Sequence, residues 1–209
     1  MKLKLTLIMS VWLVLAMGFF GYDTNSGSSA KKSFAIVQLQ TGAIAAEKPV
    51  APEKNPPGDI PDSQVFVNYA SSQGGYEVEV PEGWARTIMG MDVTFQEKLD
   101  GLSVKVTNAA GPPNAESVRK NQGELLKKKG RAIQIKGIKN IRLSNGPAVL
   151  MVYESNSEPD PVVNKQVRLE NSSYFFYRNG KLAELRLWAP LGADNVDQWN
   201  RISNSFRWR

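Results

Sequence analysis

The chain has 209 residues, a formal net charge of +6, and neither histidine nor cysteine. Without cysteine there are no disulfides, thiolate nucleophiles or thiolate metal sites. Without histidine there is no Ser-His-Asp or Cys-His catalysis and no imidazole acid–base chemistry. Carboxylate chemistry, a Ser-Lys dyad and oxygen-ligated calcium or magnesium remain open.

Lys2 and Lys4 precede sixteen uncharged residues, Leu5 to Phe20. A short basic stretch before an apolar run is the pattern of an export signal or an N-terminal membrane anchor. The run is long for a cleaved signal core and short for a spanning helix, which needs roughly 20 residues and tolerates about 17. Residues 1–22 are therefore read as a signal peptide or an anchor with an external C-terminus. Gly21 stands where a lipoprotein would carry its cysteine, so thioether lipidation is excluded.

Residues 23–64 read as a flexible Pro/Gly/Ser-rich linker. Asn25–Ser29 is rich in Gly and Ser, and Lys48–Pro61 carries five prolines, which favour extended polyproline-like backbone. Such a segment is a spacer that holds a domain away from a membrane surface.

The folded domain is expected over residues 65–209. Strands come first: Val65–Tyr69, then Tyr76–Val80 with strict alternation, a Pro81-Glu82-Gly83 turn, and Asp92–Lys98 with Leu102–Asn108 as a hairpin across Leu99-Asp100-Gly101. Asn114 is the N-cap of a first helix that Gly130 stops, with Ala115, Val118, Gln122, Leu125 and Leu126 on one face. Strands resume at Ile133–Ile135 and Ile141–Leu143 with a bulge at Gly137. Asn145-Gly146 turns the chain into Ala148–Glu154, and Lys165–Leu169 and Tyr174–Tyr177 come after the loop Ser155–Asn164.

Asn179-Gly180 is the sharpest turn signal, because a two-residue type I′ hairpin needs positive φ at both positions. It pairs Arg178 with Lys181, Phe176 with Ala183 and Tyr174 with Leu185. Both faces of that hairpin are largely apolar, which predicts a cover on each side of the sheet. A last helix, begun by Asp194, supplies one cover through Val196, Trp199, Ile202 and Phe206.

The opening Tyr76-Glu-Val-Glu-Val-Pro-Glu-Gly-Trp84 and the closing Leu185-Arg-Leu-Trp-Ala-Pro190, followed by Asp197-Gln-Trp-Asn-Arg-Ile-Ser-Asn-Ser-Phe-Arg-Trp208, resemble the ends of PsbP-like domains. The likeness runs from about Val65 to Arg209. It implies an α+β fold, an α/β/α sandwich with a central antiparallel sheet flanked by helices. It also implies no enzyme activity, and a role like that of extrinsic photosystem II subunits or of bacterial surface relatives. The histidines that some members use for metal are absent, so no catalytic, cofactor or metal residue is carried over.

Two clusters are candidate sites. Lys127, Lys128, Lys129, Arg131, Lys136, Lys139 and Arg142 form a basic stretch without an acid, suited to an anionic partner such as acidic lipid or an acidic protein surface. Its ordinary reading is a helix C-terminus followed by the polar rim of a strand. Glu154, Asn156, Glu158 and Asp160 place oxygens at alternate positions, as calcium can use, but lack the glycine and distal glutamate of an EF-hand and are interrupted by Pro159, so the ordinary reading is a solvated loop.

Trp84, Trp188 and Trp208 are core residues or the lining of one ligand cleft, with Trp188 beside Arg186 the best partly exposed candidate. Asp92 and Glu97 have no spacing that separates them from surface charge. Expected partners are a membrane, through the N-terminal segment, and a membrane protein complex or anionic surface; nucleic acid is not expected. A non-catalytic tethered assembly module, a small-molecule or lipid-binding surface protein, and an enzyme using carboxylates are the three readings.

Overall fold

The computed structural model describes residues 47–209, so the expected anchor and most of the linker lie outside the described residues. Among the described residues no helix is long and apolar enough to cross a membrane. The chain runs through β1 (Phe66–Ser71), β2 (Tyr76–Pro81), β3 (Ala85–Met89), β4 (Asp92–Glu97) and β5 (Asp100–Asn108). A helical passage comes next: α1 (Ala115–Val118), a π-helical segment (Arg119–Gly123) and α2 (Glu124–Lys129). Beyond it lie β6 (Gln134–Leu143), β7 (Gly146–Asn156), β8 (Arg168–Arg178), β9 (Lys181–Pro190), α3 (Val196–Ser205) and β10 (Arg207–Trp208).

Seven strands form one antiparallel sheet in the order β3-β4-β5-β9-β8-β7-β6, and β1-β2-β10 form a smaller one. The Asn179-Gly180 turn has φ of 49° and 78°, and Phe176 faces Ala183 while Tyr174 faces Leu185, as a type I′ hairpin requires. These four residues and Leu187 join Leu102, Val104 and Val106 of β5 on one face. Tyr76, Val78 and Val80 of β2, Trp199 and Ile202 of α3, and Phe206 cover them. Phe206 stacks on Phe176 with ring centroids 4.4 Å apart.

The other face carries Val149, Met151, Tyr153, Phe175 and Leu182, packed against Val118 and partly buried Leu126 of the helical passage. The fold is thus α+β, an antiparallel sheet between two covers, one helical and one made of α3 with the small sheet.

Several local expectations are corrected. The first hairpin turns at Lys98-Leu99, with Lys98 at φ 50°, so Asp100 and Gly101 belong to β5. The next turn is Ser144-Asn145, one residue early, with Gly146 at φ 123° opening β7. β3 was missed because all five residues are exposed at the sheet edge, where no burial periodicity is written into the sequence. Lys165–Leu169 and Tyr174–Tyr177 are not two strands: β8 begins at Arg168 and runs unbroken through Asn171, Ser172 and Ser173, all buried.

The expected N-cap is present. Asn114 Oδ1 accepts from Ser117 N at 2.8 Å, and Ser117 Oγ accepts from Asn114 N at 2.9 Å. Leu125, however, is 52% exposed. The π-helical segment adds a residue to the turn and rotates the remainder of the helix, which brings Leu126 inward and sends Leu125 outward. The bulge in β6 falls between Ile135 and Gly137, as expected. Val196 points to solvent while Trp199, Ile202 and Phe206 are buried.

The larger correction concerns the linker. Residues 47–62 form a strap against the domain. Val50 N donates to Asn156 Oδ1 at 3.1 Å, Ile60 N to Asn195 Oδ1 at 2.7 Å, and Asn195 Nδ2 to Gly58 O at 2.7 Å. Ile60 is buried in the main core. Polyproline-like backbone makes no internal hydrogen bonds, so its N–H and C=O groups are free to pair with side chains of the domain. Proline richness here marks an extended strap, not a solvated one.

Replacing Ile60 with Ala should therefore lower stability by roughly 2–3 kcal/mol, the lower part of the range for truncating a buried aliphatic side chain. Urea unfolding of the full chain checks this. A solvated tether would give a change within about 0.5 kcal/mol.

Candidate functional site: a cationic cleft over Trp188

The helical passage crosses β6 and β7 and ends at Gly130, so the same sheet face is left open over β9. There a cleft of about 350 Å³ lies between Leu126, Lys129, Gly130 and Arg131 at the helix end, Ser157 and Glu158 after β7, and a floor of Tyr153, Arg186 and Trp188. Trp188 is paired across the ladder with Gly101. A Cβ on Gly101 would stand 2.0 Å from the Trp188 ring, so glycine there is what lets the indole lie across the sheet.

Arg186 is fixed by its neighbours. Its Nε and Nη2 both donate to Asn171 Oδ1, at 3.0 and 2.7 Å. Asn171 is fully buried and donates to Ser155 Oγ at 3.0 Å and Tyr153 O at 3.4 Å. The guanidinium carbon lies 4.8 Å from the Trp188 ring centroid and 5.9 Å from that of Tyr153. Ser173, also fully buried, donates to Glu184 Oε1 at 2.8 Å. Asn171 and Ser173 therefore satisfy their side-chain hydrogen-bonding needs inside a strand. Burial first of all raises the Tyr153 hydroxyl above its usual range, with Arg186 opposing, so it stays neutral.

The seven basic residues do not form one acid-free face. Lys127 pairs with Glu124 at 3.0 Å, Lys136 with Glu154 at 2.7 Å, and Arg131 with Glu47 at 3.2 Å and Glu158 at 3.3 Å. Lys139 is opposite Leu150 and Arg142 opposite Pro147, which puts them on opposite faces of the edge strand β6. Lysines and a bulge on an exposed edge also discourage pairing with another chain. Lys129 and the paired Arg131 line the cleft, and Lys128 is exposed beside Lys129 in the last turn of α2.

The four calcium candidates are held apart. Glu154 accepts from Lys136 and from Arg168 Nε, and Glu158 turns to Arg131. Asn156 donates to Glu47 and Lys48 of the strap. Asp160 accepts from Val162 N and Val163 N of its own turn, and those two bonds hold its carboxyl below the usual range. Among the described residues no group of three or more His, Cys, Asp or Glu is arranged to hold a metal. Asp92 accepts from Val106 N across the β4–β5 hairpin and does not pair with Glu97.

Sequence reasoning missed Arg168, whose side chain is 1% exposed. It reaches Glu154, Ala132 O at 2.8 Å and Asn156 Oδ1 at 3.0 Å, tying strap, loop and sheet together. An arginine at a strand start carries no sign of burial in the sequence. The hydrogen bond from Asn156, then those from Gln166 and the charge of Arg131, hold Glu47 below the usual carboxylate range.

The tryptophans do not share a cleft. Trp208 lines a separate hollow with Phe176 and Phe206. Trp84 lines one of about 340 Å³ between the strap and the β4–β5 hairpin. There Asp100 Oδ1 is buried without a partner. Gly58 of the strap passes so close that a Cβ would meet that oxygen at 2.6 Å. Burial, then the charges of Glu97 and Asp59, raise the Asp100 carboxyl to about 7, with Lys98 opposing.

No family model and no curated protein matches the sequence. Among solved structures the chain is similar to the solution structure of cyanobacterial PsbP (CyanoP) from Synechocystis. That likeness has 15% identity and a TM-score of 0.48, and covers 73% of this chain and 98% of that one. It is also similar to a protein from Bacteroides thetaiotaomicron at 10% identity and a TM-score of 0.43, over 68% of this chain and 48% of that one.

Asp100 generates a pH dependence. An unfolded aspartate titrates near ~3.9 and the folded one near 7, so the folded state holds the extra proton between those values. Stability therefore falls as pH rises from about 4 to 7 and levels off above, where Asp100 is ionised in both states. Glu170, raised by burial and then by Glu154, adds a change of the same sign, so the comparison must be with a variant. Urea midpoints should show Asp100→Asn more stable than the parent at pH 8 and close to it at pH 4.

Proposed function

We propose that the chain is a non-catalytic interaction module, held outside the cytoplasmic membrane by its N-terminal apolar segment, that docks an anionic partner at the mouth of the Trp188 cleft. The observation that carries this reading is a cleft lined by Lys129, Arg131 and Arg186 whose only acidic lining residue, among the described residues, is Glu158, with Lys127 and Lys128 in the same last helical turn as Lys129. Helix α2 ends there, so its C-terminal carbonyls and the three lysines share one end of the sandwich. The lysines offset the negative end of the dipole, and their long exposed stems reach outward to a surface.

The resemblance of the domain's two ends to PsbP-like proteins agrees with an assembly role rather than a reaction. The leader, read from Lys2, Lys4 and Leu5–Phe20, agrees with work at a membrane face. A membrane protein complex is the partner this combination suits, because a cationic cleft floored by Arg186 and aromatic rings recognises a shaped acidic surface more selectively than a flat one.

The full chain, recovered from its own membranes, should bring down such a complex in constant ratio at low salt and release it by about 0.5 M salt, where screening lengths fall to a few ångströms. Replacing Lys127, Lys128 and Lys129 with Glu should reduce recovery roughly tenfold or more. Recovery equal to the parent would remove the docking role from this end of the molecule.

A further inference from the structure

Arg186 has two donor edges, and the fold uses one. The side-on edge, Nε with Nη2, is taken by Asn171 Oδ1. Nη1 has no hydrogen-bond partner among the described residues and is not one of the buried unpartnered atoms. The end-on fork of Nη1 and Nη2 is therefore left for a ligand. The guanidinium carbon lies over the Trp188 ring, 4.8 Å from its centroid, so the indole closes that side to a ligand.

We propose that this fork binds a carboxylate, supplied by an acidic peptide segment of the partner, with an apolar group beside it resting on Trp188, Leu126 and Ile133. The inference rests on the docking role above and names the chemistry of its centre. Carboxylate is favoured over phosphate on charge. One guanidinium fork balances the single charge of a carboxylate, whereas a phosphate, with about twice the charge and a third acceptor oxygen, calls for further free donors. The other guanidinium lining the cleft, Arg131, is already paired with Glu47 and Glu158. Lys129 remains as a second, flexible cation at the mouth.

The positioning is built in before any ligand arrives. Asn171 holds Arg186, Ser155 and the Tyr153 carbonyl hold Asn171, and Gly101 gives Trp188 its place. A long side chain that is already ordered loses less freedom on binding. A cleft of about 350 Å³ whose rim includes 82%-exposed Glu158 is sized for a side chain or two at a surface, at the small end of ligand sites.

The test uses the full chain in nanodiscs of zwitterionic lipid, with arginine Nε–H resonances followed by NMR. Phenylacetate, a carboxylate with an apolar body, should shift the Arg186 signal saturably and leave that of Arg168 unmoved. Its neutral counterpart, 2-phenylethanol, should bind at least about tenfold more weakly. Arg186→Lys keeps the charge and removes the fork, and should weaken phenylacetate about tenfold. A peptide alternating Glu and Phe should bind more tightly than phenylacetate, and its Gln counterpart should not bind.

Equal binding of 2-phenylethanol, or of phenylacetate to Arg186→Lys, would overturn the carboxylate fork. Should Arg186→Lys fail to fold, the parent's own Arg186 resonance decides: no shift with phenylacetate overturns the proposal. Phenylacetate binding without peptide binding would overturn the peptide as source. Loss of the membrane complex in the lysine triple variant, with no phenylacetate binding by the parent, would retain the docking role and discard this inference.

Discussion

The pairing of β8 with β9 decides which side chains meet on each face of the sheet, and most of the architecture depends on it. Asn179 and Gly180 both hold positive φ, so the turn admits two residues and the register is set from its tip. A slip of one residue would put Leu185 and Leu187 on the opposite face from Tyr174 and Phe176. The same register places Arg186 opposite Ser173 and Trp188 opposite Asn171. One turn therefore determines the main core under α3 and the floor of the cationic cleft.

Both faces of this hairpin are apolar near the turn, but they diverge away from it. On the α3 face the apolar positions continue to Leu187 and Ala189. On the helix face they give way, beyond Phe175 and Leu182, to Ser173, Glu184, Asn171 and Arg186. The helical passage covers the apolar part and ends at Gly130, where the polar part begins. The cleft is the remainder of a face whose cover is shorter than the sheet, and its polar floor is kept in order by hydrogen bonds rather than by packing. Buried polar groups of this kind are costly unless every one is paired, and Asn171 and Ser173 both are.

How far the sequence can be read depends on the strength of local signals. The alternation of Tyr76–Val80, the Asn179-Gly180 turn, the Asn114 cap and the spacing of Trp199, Ile202 and Phe206 all report a local rule, and the structure contains each. The edge strand β3 has no buried side to give it a pattern. The π-helical segment changes the phase of a helix without changing its composition, so Leu125 leaves the face it was expected to share with Leu126. Asn171–Ser173 look like a break because their partners, Tyr153, Ser155 and Glu184, come from neighbouring strands. The same holds for Arg168 and for the strap, whose contacts with Asn156 and Asn195 span more than a hundred residues.

The candidate site is legible in parts and not as a whole. Arg186 with Trp188, the lysines after α2, and Asn156 with Glu158 each stand out in the sequence, as a partly exposed aromatic, a basic patch and an oxygen-rich loop. None of those descriptions joins them, because only the tertiary fold brings the end of α2, the exit of β7 and the middle of β9 to one cleft. Their joining also changes what each does. Glu158 is a counter-charge to Arg131 rather than a metal ligand, and Lys136 is a partner of Glu154 rather than part of a free patch. The charge that survives this internal pairing, not the count of lysines and arginines along the chain, is what a partner meets.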